Sequence, residues 1–224
     1  MSRDSNPPVI AIDGPSASGK GTVAAQVARA LGFHYLDSGA LYRLAALAAH
    51  DAGVDLDDEE ALAASAGRMR VEFRDGATCL EGRDVTAALR SEEVGAAASR
   101  VAAKPRVRQA LLARQRGFRT LPGLVADGRD MGSVVFPDAP LKVFLTAGVD
   151  TRAERRYKQL MEKGMYAKMG DVVEELRRRD ERDSSRPVAP LKHYPDAIFL
   201  DTTGLSVEEA VRQILGWWRE KSQG

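Results

Sequence analysis

The chain has 224 residues, which at about 150 residues per domain suggests one large domain or a core with attached subdomains. Apolar residues make up 44% and charged residues 29%, so a real core can form and general disorder is excluded. With 33 Lys and Arg against 32 Asp and Glu, the formal charge of +1 gives no global field for holding polymeric nucleic acid or an anionic membrane.

Residues Met1 to Pro8 lack the apolar h-region of a signal peptide, and no stretch approaches the roughly 20 apolar residues of a spanning helix. Val9-Ile10-Ala11-Ile12 then forms a short apolar run of strand type, ended by Asp13-Gly14-Pro15. Val23, Val27 and Leu31 recur every four residues beside Ala24 and Ala28, which predicts an amphipathic helix stopped by Gly32. Phe33-His34-Tyr35-Leu36 is a second strand candidate, and Asp37 or Ser38 can cap a helix running to Gly53. Strand and helix alternating in this way predict a parallel sheet with crossover helices.

Farther along, Val71-Glu72-Phe73-Arg74 alternates, Asp75-Gly76 is a turn signal and Thr78-Cys79-Leu80-Glu81 follows, predicting a small antiparallel hairpin. Cys79 is the only cysteine, which excludes an intramolecular disulfide and fits a reducing, cytoplasmic compartment. His34, His50 and His193 are scattered without metal-ligand spacing. Residues 92–119 read as Ala- and Arg-rich helix interrupted near Pro105. Leu124-Val125-Ala126, Leu141-Lys142-Val143-Phe144-Leu145 and Ala197-Ile198-Phe199-Leu200 add three buried-strand candidates. From 152 to 186, 19 of 35 residues are charged, the pattern of a solvated pair of helices. The last helix begins at Ser206, with Glu209 completing a capping box.

Gly14-Pro15-Ser16-Ala17-Ser18-Gly19-Lys20-Gly21-Thr22 lies between the first strand and the first helix. Small residues there let successive backbone N–H groups converge on phosphate oxygens, and the helix N-terminus adds positive potential. Lys20 can bridge the distal phosphates. The run departs from G-x-x-x-x-G-K-[ST] in one respect: Gly21 follows the lysine, and the hydroxyl arrives at Thr22.

Three further segments can carry chemistry. Asp37-Ser38-Gly39-Ala40-Leu41-Tyr42-Arg43 begins at a strand end, where open α/β sheets gather ligands; Ser38 could equally be a helix cap and Arg43 a surface charge. Ala126-Asp127-Gly128-Arg129-Asp130-Met131-Gly132 ends another strand, with Asp127 placed to support Mg²⁺ through water. Between 177 and 187, five arginines stand beside three acids, and arginine is the planar donor suited to phosphate oxygens. Arg179, Arg182 and Arg186 share one face if the helix continues that far, with Asp183 on the same side to accept from a sugar hydroxyl. An acceptor that is itself a phosphate is largely ionised at neutral pH, with a second pKa of about 6. It needs positioning and charge neutralisation more than a base.

Taken together, these segments resemble the bacterial cytidylate kinases, P-loop nucleoside monophosphate kinases, from about residue 9 to 218. D-S-G-A-L-Y-R and A-D-G-R-D-M-G in this order are far more specific than the phosphate loop, and the hairpin near 71–81 matches the family's enlarged nucleotide-binding region. The resemblance implies an α/β P-loop kinase core with a five-stranded parallel sheet flanked by helices, plus a small antiparallel insert and a helical lid. It implies one kinase domain over 1–224, with core at about 8–40, 120–150 and 195–220, insert at about 41–119 and lid at about 151–190. It implies Mg²⁺-dependent transfer of the γ-phosphoryl group of ATP to CMP or dCMP. By the same resemblance residues 14–22 hold ATP, and Thr22 and Asp127 serve the metal through water. Ser38, Arg43, Arg129 and Arg179 surround the acceptor phosphate. Ser99, Arg108 and Asp130 read cytosine with Arg186 nearby, and Asp183 contacts the ribose. Lys20, Arg129, Arg155, Arg156 and Arg179 neutralise the transferring group. Expected partners are these small molecules alone, with no polymeric nucleic acid, no membrane and a monomeric chain. The competing readings are a kinase for UMP, AMP or a hydroxyl acceptor, and a nucleotide switch, which would normally carry a guanine-reading N-K-x-D segment that this sequence lacks.

Overall fold

A computed structural model describes residues 6–74 and 77–223. In chain order the elements are β1 (Val9–Asp13), α1 (Lys20–Leu31), β2 (His34–Asp37), α2 (Ser38–Asp51) and α3 (Glu59–Arg68). Next come β3 (Val71–Arg74), β4 (Ala77–Leu80), β5 (Arg83–Asp84), α4 (Glu92–Val101), α5 (Pro105–Arg116) and β6 (Leu124–Gly128). A π-helical turn at Met131–Val135 leads to β7 (Leu141–Thr146), α6 (Val149–Glu162), α7 (Met169–Ser185), β8 (Ile198–Asp201) and α8 (Val207–Gln223). The described residues form two compact units, one made of the residues up to Leu36 together with those from Phe118 onward, and the other of those from Asp37 to Gly117.

The first unit is built on a five-stranded parallel sheet in the order β2-β6-β1-β7-β8. Every residue of β1 and β6 is buried, as expected of central parallel strands covered on both faces. The apolar face of α1, Val23, Ala24, Val27 and Ala28, packs into one cluster with Ile10, Ile12 and Val125 of the sheet and Ala210 and Ile214 of α8. Each such Val, Leu or Ile side chain contributes roughly 1.5–3 kcal/mol by leaving water. In register, Ile12 lies opposite Asp127 and Asp13 opposite Gly128. The carboxyl ends of β1 and β6 therefore deliver the phosphate loop and the segment after Ala126 to one edge of the sheet, where α/β folds bind ligands.

Two helices of this unit, α6 and α7, carry most of the dense charge between 152 and 186. They still bury a small cluster, Ala153, Leu160, Val172 and Leu176, with partly buried Ala17 of the phosphate loop against it. The expectation of one arginine face ends early, because α7 stops at Ser185 and Arg186 takes an extended backbone, φ −55° and ψ 137°. Among the described residues no helix is long and apolar enough to cross a membrane. At α8, Ser206 and Glu209 make both bonds of the capping box, 2.8 and 3.2 Å.

The second unit holds a three-stranded antiparallel sheet, β3-β4-β5, one short strand more than the hairpin read from the sequence. The turn expected at Asp75-Gly76 lies outside the described residues. In this unit α2 packs on α3 and α4, and α3 packs on α5. The hydrophobic pattern did not announce α3, although Asp58 caps it by accepting from the Ala61 N–H at 3.0 Å and Glu59 and Glu60 suit its positive end. Pro105 opens α5, where its missing N–H costs no hydrogen bond.

Candidate active site

Residues 14–22 form a tight loop between β1 and α1. An added Cβ on Gly14 would lie 1.9 Å from the carbonyl oxygen of Leu145, so only glycine lets the chain leave the sheet there. Ala17 and Gly19 take left-handed backbone, φ 57° and 90°, which gives the loop its concave turn. Cationic and hydroxyl groups hold its carbonyls: Lys20 Nζ and Ser18 Oγ donate to Pro15 O at 3.1 and 3.0 Å, Arg152 Nη1 to Ser16 O at 3.2 Å and Arg155 Nη1 to Ser18 O at 2.8 Å. In a planar trans peptide the N–H points opposite to the C=O. Anchoring these carbonyls thus aims the N–H groups of Ser16, Ala17 and Gly19 the other way, as binding of an anion in the loop would require.

Beside the loop, Asp127 is buried at the end of β6. It accepts from Tyr35 Oη at 3.0 Å, and its Oδ1 is 3.9 Å from Lys20 Nζ. A Cβ on residue 21 would stand 3.1 Å from Asp127 Oδ2 and 3.5 Å from Tyr35 Oη. That crowding accounts for glycine where the usual loop pattern has a hydroxyl residue. Thr22 instead lines a cleft of about 310 Å³ with Ser18, Gly19, Val23, Arg155, Thr202 and Val207. Mg²⁺ takes hard oxygen donors, commonly one or two carboxylates beside phosphate oxygens and water. Asp127, against the loop and its lysine, fits that requirement, whereas Thr22 faces the cleft.

The turn after β6 carries Arg129 and Asp130. Arg129 Nε donates to Asp183 Oδ2 of α7 at 2.7 Å, and both side chains are largely buried. Burial alone would push the Asp183 pKa up, but the charges of Arg129, Arg186 and Arg179 overcome it and hold the carboxyl below its ordinary value. Arg186 is buried and donates to Ala189 O at 2.7 Å; Arg179 is half-buried. Asp130 is buried at 2% exposure. The first unit thus brings Arg129, Arg179, Asp183 and Arg186 into one electrostatic group. Arg155 is committed to the loop and to Thr202, whose carbonyl it meets at 2.7 Å, while Arg156 reaches Gln159 at 3.5 Å.

In the second unit, Asp37 and not Ser38 caps α2, accepting from the Ala40 N–H at 3.2 Å. Ser38 is buried in the first turn, and Arg43 stands 3.6 Å from Asp37. Arg108 is buried on α5, donates to Ala102 O at 3.2 Å and lies 5.7 Å from the centre of the Tyr42 ring. The hydroxyl of Ser99, buried on α4, has no hydrogen-bond partner among the described residues, an arrangement that leaves a polar group for a ligand.

The cytidylate kinase profile matches residues 10–220. The chain belongs to the cytidylate kinase family. It is 60% identical over 214 residues to a cytidylate kinase of Chromobacterium violaceum, covering 96% of each chain. It is also 60% identical over 212 residues to one of Paraburkholderia phymatum, covering 95% of this chain and 93% of that one. A gluconokinase structure from Sinorhizobium meliloti 1021 shares the fold at TM-score 0.50 and 18% identity, covering 97% of this chain and 95% of that one.

Sequence reasoning passed over several groups at this site. Asp13, Tyr194, Lys158, Gln159, Glu162 and Thr202 all lie at the loop, the cleft or the turn after β6. Asp13 did carry a signal, as an acid ending an apolar strand immediately before the loop. The others carried none, because their roles depend on contacts across the fold.

Proposed function

We propose that this chain transfers the γ-phosphoryl group of ATP to CMP or dCMP, giving ADP and CDP or dCDP. The observation that carries the reading is the meeting of an anion-ready loop, Lys20 and Asp127 at the sheet edge, in a chain whose relatives at 60% identity are cytidylate kinases over nearly their whole length. The loop N–H groups and Lys20 bind the donor phosphates, and the cleft over Val23 and Val207 takes the nucleoside part of ATP. Asp127 would hold Mg²⁺ through water, with Thr22 on the cleft side of the loop, and the ion would supply charge neutralisation to the phosphates. The acceptor phosphate is already ionised, so the work of this chain is positioning and charge neutralisation.

As the family resemblance implies, Ser38, Arg43, Arg129 and Arg179 bind that acceptor phosphate. Arg155 holds the loop, and Arg156 and Arg179 offset charge on the moving group. Asp130, Ser99 and Arg108 read the base with Arg186, and Asp183 takes the ribose. Cytosine has an amino donor where uracil has a carbonyl, so a carboxylate accepts from the first and repels the second. The segment at about 151–190 acts as a lid.

A coupled ADP-release assay over CMP, dCMP, UMP and AMP tests the reading, with CMP and dCMP expected to lead. Lys20→Ala should stay folded and lose turnover by on the order of 10²–10³-fold, as removal of one charge-stabilising group does. Preference for UMP or AMP, or near-normal turnover without Lys20, would overturn it.

A further inference from the structure

Asp13 ends β1, one residue before the phosphate loop, and has no exposed surface. Its two oxygens hold three donors. Oδ1 accepts from the Met131 N–H at 2.7 Å, and Oδ2 accepts from the Gly132 N–H at 2.9 Å and from Tyr194 Oη at 2.8 Å. The two N–H groups open the π-helical turn that directly follows Asp130. An added Cβ on Gly132 would lie 2.1 Å from Tyr194 Oη, so the phenol closes over a residue that must lack a side chain. Tyr194 is itself held in place. Its ring packs with Phe144 and Ala197, Lys142 Nζ lies 5.9 Å from the ring centre, and the same lysine pairs with Asp196 at 2.5 Å.

Tyr194 lies on the segment joining α7 to β8. Upstream, that segment is tied back to α7, where the Leu191 N–H donates to Asp183 O at 2.7 Å. One buried carboxylate therefore touches the turn bearing Arg129 and Asp130, and the strap that follows Asp183 and Arg186. A carboxylate accepting several donors in a dry site defines its neighbours more sharply than a neutral group would.

We propose that Asp13 and Tyr194 are positioning residues for phosphoryl transfer, fixing the Arg129–Asp130 turn and the strap after α7 in register with the phosphate loop. The inference rests on the reading of this chain as a CMP kinase. Neither residue needs to touch a nucleotide. Their effect reaches the acceptor through Asp130 and Asp183, and a small displacement there weakens recognition of the base more than binding of ATP.

The test uses the full chain with Tyr194→Phe, which removes one hydroxyl and keeps the ring, and Asp13→Asn, which turns an amide donor towards a backbone donor. Tyr194→Phe should raise the KM for CMP about tenfold and lower the CMP-to-UMP ratio of kcat/KM similarly, with the KM for ATP within about twofold; Asp13→Asn should go further in the same direction. In the ligand-free proteins, hydrogen exchange at the Met131 and Gly132 amides should speed up in both variants. A lowered Tm with unchanged CMP-to-UMP ratio would overturn the positioning role, and so would unchanged exchange at the two amides. A wild-type enzyme inert towards CMP would instead overturn the functional reading, and this inference with it. If Asp13→Asn does not fold, Tyr194→Phe decides.

Discussion

Enclosure pushes the Asp13 pKa up to about 6 from 3.8, and the nearby charge of Asp130 adds to that, against the Gly132 and Met131 N–H groups and the Tyr194 hydroxyl that favour the ionised form. The folded protein therefore holds this proton more tightly than the unfolded chain. Its contribution to stability is full below about pH 4 and is lost as pH rises through about 6, a difference worth about 3 kcal/mol. Asp13→Asn cannot titrate, so between pH 4.5 and 7.5 the gap in unfolding free energy between variant and wild type should move about 2 kcal/mol in the variant's favour. Urea unfolding at the two pH values measures it, and parallel behaviour would return the carboxyl to an ordinary pKa. Asp183 has the opposite sign. Its depressed pKa stabilises the protein at neutral pH and is lost in acid, and it cancels in this comparison because both proteins carry it.

At the level of elements, the charge of α6 and α7 is not a uniform repulsive surface. Arg152 reaches Ala147 O, Ser16 O and Asp180, the last at 2.7 Å, and Arg155 reaches Ser18 and Thr202. These bonds tie the first turns of α6 to the phosphate loop. Beyond them, outside the buried Leu160, Val172 and Leu176, the surface is exposed, with Met161, Met165, Tyr166 and Met169 around the connection to α7. If the segment acts as the proposed lid, it should exchange amide hydrogens slowly at 150–156 and fast at 161–178 in the free protein. A bisubstrate analogue, whose phosphates draw the arginines inward, should slow the distal part at least several-fold and leave β1 and β6 unchanged. Equal exchange in the distal part with and without the analogue would remove the lid from the mechanism.

For the molecule as a whole, nucleotides that bind only the folded chain must stabilise it. ATP or CMP at about 100 times its Kd should each add about 2.7 kcal/mol, which for a chain of this size raises Tm by roughly 5–11 °C. A calorimetric scan with CMP giving no shift, where UMP gives one, would contradict the proposed base preference. Much of the architecture was legible beforehand, because it is written in local chemistry. Apolar runs bounded by glycine become β1 and β6, spacing of four becomes α1, Ser206 and Glu209 cap α8, and Gly14 to Thr22 make a phosphate loop wherever a strand precedes and a helix follows. The charged stretch at 152–186, read as two solvated helices, forms two that bury a small apolar cluster of their own, but their anchorage to Ser16 and Ser18 depends on residues more than a hundred positions away. The sequence by itself therefore determined most of the elements, though not α3 or β5, together with the loop and the family. Only the tertiary structure decided that Arg129 pairs with Asp183, that Gly21 yields its side chain to Asp127, and that Asp13 reaches Tyr194 across the fold. Hydrogen bonds and ion pairs have no periodicity along a chain; their partners are set by which strand ends the packed core brings side by side.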